Sequence, residues 1–384
     1  MLPDQLAAAL SDLDRHALRR QRATLESAQG AQIVIDGQSY LSFASNDYLG
    51  LANHPEMVEA VRHAVGRWGI GSGASPLVTG HATVHEEAEV ALAAFVGQPA
   101  ALLFSSGYAA NLAVIGSLLG REDAVFADRL NHASLHDACL LSRADFQRFR
   151  HNDPDHLEDL LRRSRARTRL IAVDAVYSMD GDQAPLAALL ALAERYDAWL
   201  YLDDAHGFGV LGDGRGSLAG LPASERVVYM ATLGKAAGVS GAFVAGSRLL
   251  IEWLINRART YLFSTAHPPL LAAAVLASLV LIERESWRRD RLQAHVACLQ
   301  SSLQDNGIKF SASRTPIQPL IIGDNELTLS MSKQLREKGL WVPAIRPPTV
   351  PKGGARLRVS LSAAHEEHDV NRLTEAIRAL SAQA

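Results

Sequence analysis

Lysine is almost missing from the first four-fifths of this chain. Only five of its 38 Lys and Arg residues are lysine, and Lys235 is the sole one before position 309. Arginine serves as the cation everywhere else in that stretch, which sets Lys235 apart from the other charges there. Cysteine is equally scarce. Cys139 and Cys298 lie in helix-like segments without metal-ligand spacing, which excludes a disulfide-stapled scaffold and predicts reduced residues of a cytoplasmic protein, with a bridge between the two left open. No metal site is expected. Net charge is nearly absent too: −3 overall gives no general electrostatic case for nucleic acid. The longest apolar run, 270–282, is too short to span a bilayer, and Asp4, Asp12 and Asp14 interrupt any signal-peptide core, so no membrane partner is expected. Repeats and low-complexity linkers are missing.

What is present is organised around Tyr229-Met-Ala-Thr-Leu-Gly-Lys-Ala-Ala-Gly-Val-Ser-Gly-Ala-Phe243, a β-type run that ends in a small-residue loop bearing Lys235. A guanidinium grips anions as well as an ammonium does, but it cannot form a Schiff base, which needs a neutral amine. The isolation of Lys235 therefore points to its amine chemistry; the plain alternative is a surface lysine in an arginine-biased chain.

An amphipathic arm is predicted over 3–22, with Leu6, Leu10, Leu13 and Ala17 at helical spacing, then a hairpin around Asp36-Gly37. Helical patterns at 55–67 and 84–96 flank a glycine-rich turn, 69–75. From residue 100 onward, β-rich runs at 100–104, 123–128, 145–149, 169–177, 198–204, 226–232 and 241–246 alternate with helical segments. That alternation predicts an α/β fold with a seven-stranded, mostly parallel sheet, helices on both faces, and ligands at the carboxyl ends of the strands. Gly107, Tyr108, Asn131, His132, Ser178, Asp203, His206 and Lys235 all fall after such ends. The remainder reads helix 287–304, strand 308–322, helix 325–338, strands 340–345 and 355–362, and helix 366–381, a small α+β domain. The expected division is an arm and hairpin (1–44), a large domain (45–283) and a small C-terminal domain (284–384).

Ser105-Ser-Gly-Tyr-Ala-Ala-Asn111 feeds a helix from a strand and makes an anion seat suited to phosphate, to which Thr232 adds a hydroxyl. Asp203 ends an apolar strand and needs a cationic or hydrogen-bonding partner, which a protonated pyridine nitrogen supplies. A helix cap is the bland reading of this Asp pair, and it suits Asp204 better.

Together with Ser45-Asn-Asp-Tyr-Leu-Gly-Leu51, Asp128-Arg-Leu-Asn-His-Ala-Ser134, Ser178-Met-Asp-Gly-Asp182, Asp203-Asp-Ala-His-Gly207, Thr232-Leu-Gly-Lys235 and Ile345-Arg-Pro-Pro-Thr-Val-Pro351, these parts resemble the α-oxoamine synthases, pyridoxal-phosphate enzymes of the aspartate-aminotransferase fold (fold type I). The resemblance runs over almost the full length. It implies pyridoxal 5′-phosphate as cofactor, with Lys235 holding it covalently, Asp203 on its ring nitrogen, His206 on its phenolic oxygen and His132 on its ring face. Gly107, Tyr108 and Thr232 surround its phosphate and Ser178 lies nearby. It also implies Asn46 and Arg358 on the amino-acid carboxylate, and Arg19, Arg346 and Thr349 along the acyl-donor path. The activity implied is the decarboxylative condensation of L-alanine with a pimeloyl thioester in biotin synthesis, by a homodimer. Glycine with acetyl- or succinyl-CoA on the same apparatus, and a non-catalytic cofactor-binding regulator, are the rival readings. Whether the acyl carrier is coenzyme A or a carrier protein is open; the arginine run 162–169 is either a dock for an acidic carrier protein or a solvated face.

Overall fold

The computed structural model describes residues 2–303 and 313–381. The chain divides into two compact units: one comprises 51–178 and 182–289, the other 1–50, 179–181 and 290–384. The strands are β1 Gln32–Ile35, β2 Gln38–Ser42, β3 Ala100–Phe104, β4 Ala124–Asp128, β5 Asp145–Phe149, β6 Arg169–Asp174, β7 Ala198–Asp203, β8 Val227–Thr232, β9 Ala242–Gly246, β10 Ile317–Gly323, β11 Leu340–Trp341, β12 Ala344–Ile345 and β13 Ala355–Ser360. The helices are α1 Pro3–Arg15, α2 Pro55–Trp68, α3 Thr83–Phe95, α4 Gly107–Leu118, α5 Ala133–Ser142, α6 Pro154–Arg163, α7 Leu186–Arg195, α8 Arg248–Arg257, α9 Arg259–Leu262, α10 Pro269–Arg284, α11 Trp287–Leu303, α12 Asn325–Glu337 and α13 Glu367–Ser381. Among the described residues no helix is long and apolar enough to cross a membrane.

The first unit is built on a seven-stranded sheet in the order β3-β9-β8-β7-β6-β4-β5. Only β9 runs against its neighbours β3 and β8; the other pairings are parallel. Its inner strands bury both faces, as continuous apolar runs require, while the edge strand β5 stays partly exposed. Val125, Ala127, Leu170, Ala172, Val228 and Met230 pack beneath α4, α5, α8 and α9. On alternate positions Phe126, Ile171, Leu200, Tyr229 and Phe243 are also buried, and Phe243 meets Phe208 edge-on at 5.2 Å. Helix α10 starts at Pro269 and buries Ala272, Val275, Leu279 and Ile282, as its apolar run predicts.

Strand β6 is shorter than the expected 169–177. After Asp174 the chain leaves the ladder, with Val176 bridging to Gln183 and Ala184 N–H bonding Ala175 O, so 175–184 forms a loop closed at its base.

In the second unit the β1–β2 hairpin turns on Asp36 and Gly37, both at positive φ. It is joined by β11, parallel to β2, so 1–50 groups with the C-terminal residues rather than standing apart as 1–44. The run expected as one strand over 340–345 is two: β11 joins β2, and β12 joins the β10-β13-β12 sheet. Pro343 stands at the break and has no N–H to continue a ladder. Of the expected strand 308–322, residues 308–312 lie outside the described residues.

Candidate active site

Five strand ends of the first unit converge on a pocket of about 180 Å³, on the order of six water volumes. Gly107, Tyr108, His132, Ser178, Asp203, His206, Thr232 and Lys235 all line it. The pocket therefore gathers side chains that stand up to 128 positions apart only because parallel strands end on one edge.

Its floor is a hydrogen-bonded platform. Tyr201 and Asp203 share one face of β7 by the two-residue strand period, and both meet Asn111, one helical turn after Gly107 in α4. Asn111 Nδ2 donates to Asp203 Oδ2 at 2.9 Å and to Ser134 Oγ at 2.8 Å, while Tyr201 OH donates to Asn111 Oδ1 at 2.6 Å. The second Asp203 oxygen accepts from Ala205 N–H at 3.0 Å. Asp203 is thus fixed by neutral donors and turned to the pocket, a carboxylate whose remaining acceptor capacity suits a cationic N–H.

Beside it Asp174 ends β6 in direct register with Asp203 and also lines the pocket. Burial, then the neighbouring Asp203, raises the Asp174 pKa well above the usual carboxylate range. Asp174 accepts the His132 backbone N–H at 2.6 Å, and His132 Nδ1 lies 2.7 Å from Ser134 Oγ, so the imidazole is held at the start of α5. Burial lowers the His132 pKa, which favours a neutral ring.

The anion seat is the start of α4. Ser106 caps it by accepting from Ala109 N–H at 3.1 Å, and the helix ladder does not use the Gly107 and Tyr108 amides. Tyr108 reaches the same opening, its hydroxyl donating to Asp137. Thr232 Oγ1 donates to Gly241 O at 3.0 Å, within a tight β8–β9 connection that presents Lys235. Leu233 N–H bonds Gly241 O, Val239 N–H bonds Leu233 O, and Gly238 N–H bonds Lys235 O, each at 2.8 Å. Gly238 and Gly241 make this possible: both have positive φ, and a Cβ would fall 2.6 Å from Ala52 N and 2.9 Å from Phe104 O respectively.

Asp204 is not a helix cap. No helix follows it, and its fully buried carboxylate accepts from Ser217 N–H (2.7 Å), Ser217 Oγ (2.6 Å) and Tyr229 OH (2.8 Å), pinning the 207–217 loop. Burial pushes its pKa up to about 6.

The remaining expected residues lie in the second unit. Arg358 on β13 donates to Asn46 Oδ1 at 3.2 and 3.3 Å and to Ser360 Oγ at 2.9 Å, with Tyr48 OH at 3.5 Å. Arg346 and Thr349 line a separate cavity of about 320 Å³ together with Arg20, Gln21, Ala344 and Ile345. Arg20, not Arg19, donates to Thr349 Oγ1, at 2.7 Å; Arg19 pairs with Asp14 at 2.7 Å. The arginine run is partly engaged at home: Arg162 pairs with Asp159, Arg167 with Asp123 at 3.2 Å, and Arg169 donates to Ser164 O.

Sequence reading missed Asn111, Ser134, Asp174, Tyr48 and Arg20. The matching parity of Tyr201 and Asp203 on β7 and the helical turn from Gly107 to Asn111 were the available signals; for Arg20 there was none beyond its position beside Arg19.

The fold and this donor set define the class of protein. Residues 38–377 match the aminotransferase class I and II family, and the chain belongs to it. Within it, the chain is 66% identical over 374 residues, 96% of its length and 97% of the relative's, to 8-amino-7-oxononanoate synthase of Chromobacterium violaceum. A solved 8-amino-7-oxononanoate synthase from Francisella tularensis is similar with a TM-score of 0.77 and 28% identity, over 90% of this chain and 97% of that one. A lysine-to-alanine variant of serine palmitoyltransferase from S. paucimobilis, solved with a bound PLP-myriocin aldimine, reaches a TM-score of 0.93 at 28% identity, over 99% and 97% of the two chains.

Proposed function

We infer that the chain is a pyridoxal-phosphate enzyme that condenses L-alanine with a pimeloyl thioester, releasing CO₂ and free thiol and forming 8-amino-7-oxononanoate for biotin synthesis. The observation that carries this is one pocket lined by an amine, a fixed carboxylate and a helix N-terminus; the name of the 66% identical relative supports the product. The cofactor fits that donor set group for group. Its protonated ring withdraws electrons from the Cα of a bound amino acid.

The protein's own groups do the rest. The Lys235 amine is the covalent anchor and, once released by alanine, the base that moves the Cα proton. Asp203, held by Asn111 and Ala205, keeps the ring nitrogen protonated. His206 would donate to the phenolic oxygen, neutral His132 would lie against the ring, and the start of α4 with Tyr108 and Thr232 would hold the phosphate beside Ser178. The Arg358 fork with Asn46 would take the alanine carboxylate, and Arg19, Arg20, Arg346 and Thr349 would serve the acyl-donor path. With the cofactor bound, its electron withdrawal would let the alanine Cα displace the thiol from the thioester carbonyl, and the alanine carboxylate would leave as CO₂ with a proton returned to Cα.

The enzyme works as a homodimer in the cytoplasm. Ile70, Leu77, Val78 and Phe263 are exposed on segments joined by Ser72 Oγ to Ala266 O and by Ala266 N to Ala74 O, an apolar patch suited to a second copy.

Pimeloyl thioester with L-alanine is expected to exceed acetyl-CoA with glycine in kcat/KM by at least about tenfold, since each buried methylene contributes roughly 0.8 kcal/mol. Thiol release with the two substrate pairs, each on coenzyme A and on carrier protein, measures this. Equal or better turnover of glycine and acetyl-CoA would overturn the substrate assignment.

A further inference from the structure

One charged cluster of the first unit takes no part in the chemistry above. His151 stands directly after β5, between two carboxylates on different segments. Its Nδ1 lies 3.0 Å from Asp128 Oδ1, at the end of β4, and its Nε2 lies 2.7 Å from Asp182 Oδ2, on the returning limb of the 175–184 loop. A neutral imidazole has one N–H and would set a lone pair against one of these carboxylates, so both contacts together demand the imidazolium. Asn152 repeats the bridge: its N–H donates to Asp128 Oδ2 at 2.8 Å, and its Nδ2 donates to Asp182 Oδ2 at 2.8 Å and Gln183 O at 3.1 Å. Tyr177 closes the third side, its ring edge-on to the imidazole at 4.4 Å. Asp128 is fully buried, and the outer charges Arg150 and Asp153 pair with each other at 2.7 Å.

We propose that His151 is a positioning residue: a cation that fastens the loop leaving β6 to the end of β4, and so fixes Ser178 at the edge of the pocket. Ser178 lies at the loop's outgoing limb, one residue past the Tyr177 N–H that bonds Asp182 O at 3.0 Å. Holding Asp182 therefore holds Ser178 through the backbone. Burial alone would lower the His151 pKa, but Asp128 and Asp182 outweigh it and hold the pKa up to about 9. The clamp is accordingly closed at neutral pH and opens as pH rises through that value. The link to the cofactor rests on the functional reading above; the clamp itself does not.

The test uses the full chain with PLP bound. Deuterium exchange with mass spectrometry reads the 175–185 backbone, and equilibrium dialysis reads PLP affinity, over roughly pH 7 to 10. Asp182→Asn removes only the partly exposed carboxylate. It is expected to speed exchange in peptides spanning 175–185 by about tenfold or more, the scale of a hydrogen bond to a charged group, and to weaken PLP binding. It should also move the midpoint at which PLP affinity falls with rising pH to a lower value than in wild type, because one of the two carboxylates supporting the cation is gone. His151→Gln should abolish that pH step, and His151→Lys should restore part of the exchange protection. Unchanged exchange at 175–185 in Asp182→Asn, or the same midpoint as wild type, overturns the proposal. Wild-type protein that binds no PLP would overturn the functional reading, while the exchange arm still decides the clamp.

Discussion

Lys235 shows how a single residue type carries information through its rarity. Four other lysines exist: Lys333, Lys338 and Lys352 do not line the pocket, and Lys309 lies outside the described residues. Borohydride reduction of the PLP-loaded enzyme followed by peptide mapping is expected to tag Lys235 alone; a tag on any of the other four would end the assignment. Asp203 permits a sharper test at the same scale. Its two oxygens are fixed by Asn111 and Ala205, so Asp203→Asn keeps the shape of the site while losing the charge that retains a proton on the ring. Turnover is expected to drop by about 100-fold or more, the scale of removing one preorganised electrostatic group, with PLP still bound. Undiminished turnover would show that the carboxylate has no such part.

At the scale of elements, the pairing of α3 with β3 conceals a titratable group. Glu89 on α3 is buried and accepts the Leu103 N–H of β3 at 2.9 Å, with His81 Nε2 3.9 Å away. Burial pushes its pKa up to about 8. A carboxyl whose folded pKa is raised binds its proton more tightly in the folded state, so stability is lost as pH rises from the unfolded value toward 8. Glu89→Gln keeps the acceptor and removes the titration. The variant should therefore melt at increasingly higher temperature than wild type as pH rises from about 5 to 9, a comparison that differential scanning calorimetry provides. A difference that stays flat across this range would mean that Glu89 does not carry a raised pKa. The β8–β9 connection makes a related point without titration: its geometry depends on Gly238 and Gly241, so the lysine's presentation is a property of the loop as a whole.

The whole molecule sets the last expectation. Around the proposed dimer surface, Val78 is 73% and Phe263 72% exposed, apolar side chains that a second copy would cover. Wild type is expected to sediment at twice the 41.4 kDa chain mass, and Val78→Asp to shift it toward monomer with loss of activity. A fully active wild-type monomer at assay concentration would overturn the proposed homodimer.

The sequence alone determined most strands of the central sheet, because β4, β6, β7, β8 and β9 are buried along almost all their length and read as apolar runs, unlike the edge strand β5. It also singled out Lys235, since an amine's chemistry cannot be replaced by arginine's. Tertiary structure decided what local pattern leaves blank. The end of β6 at Asp174 depends on loop bonds to residues 183 and 184, not on propensity, and the role of Asp204 depends on Ser217 and Tyr229 reaching it. The pairing of β2 with β11 joins positions about 300 residues apart in the sequence, so no window of neighbouring residues contains it. Likewise Arg20 rather than Arg19 meets Thr349 because the backbone direction after α1 selects one of two adjacent guanidiniums, a choice that composition and spacing treat as equal.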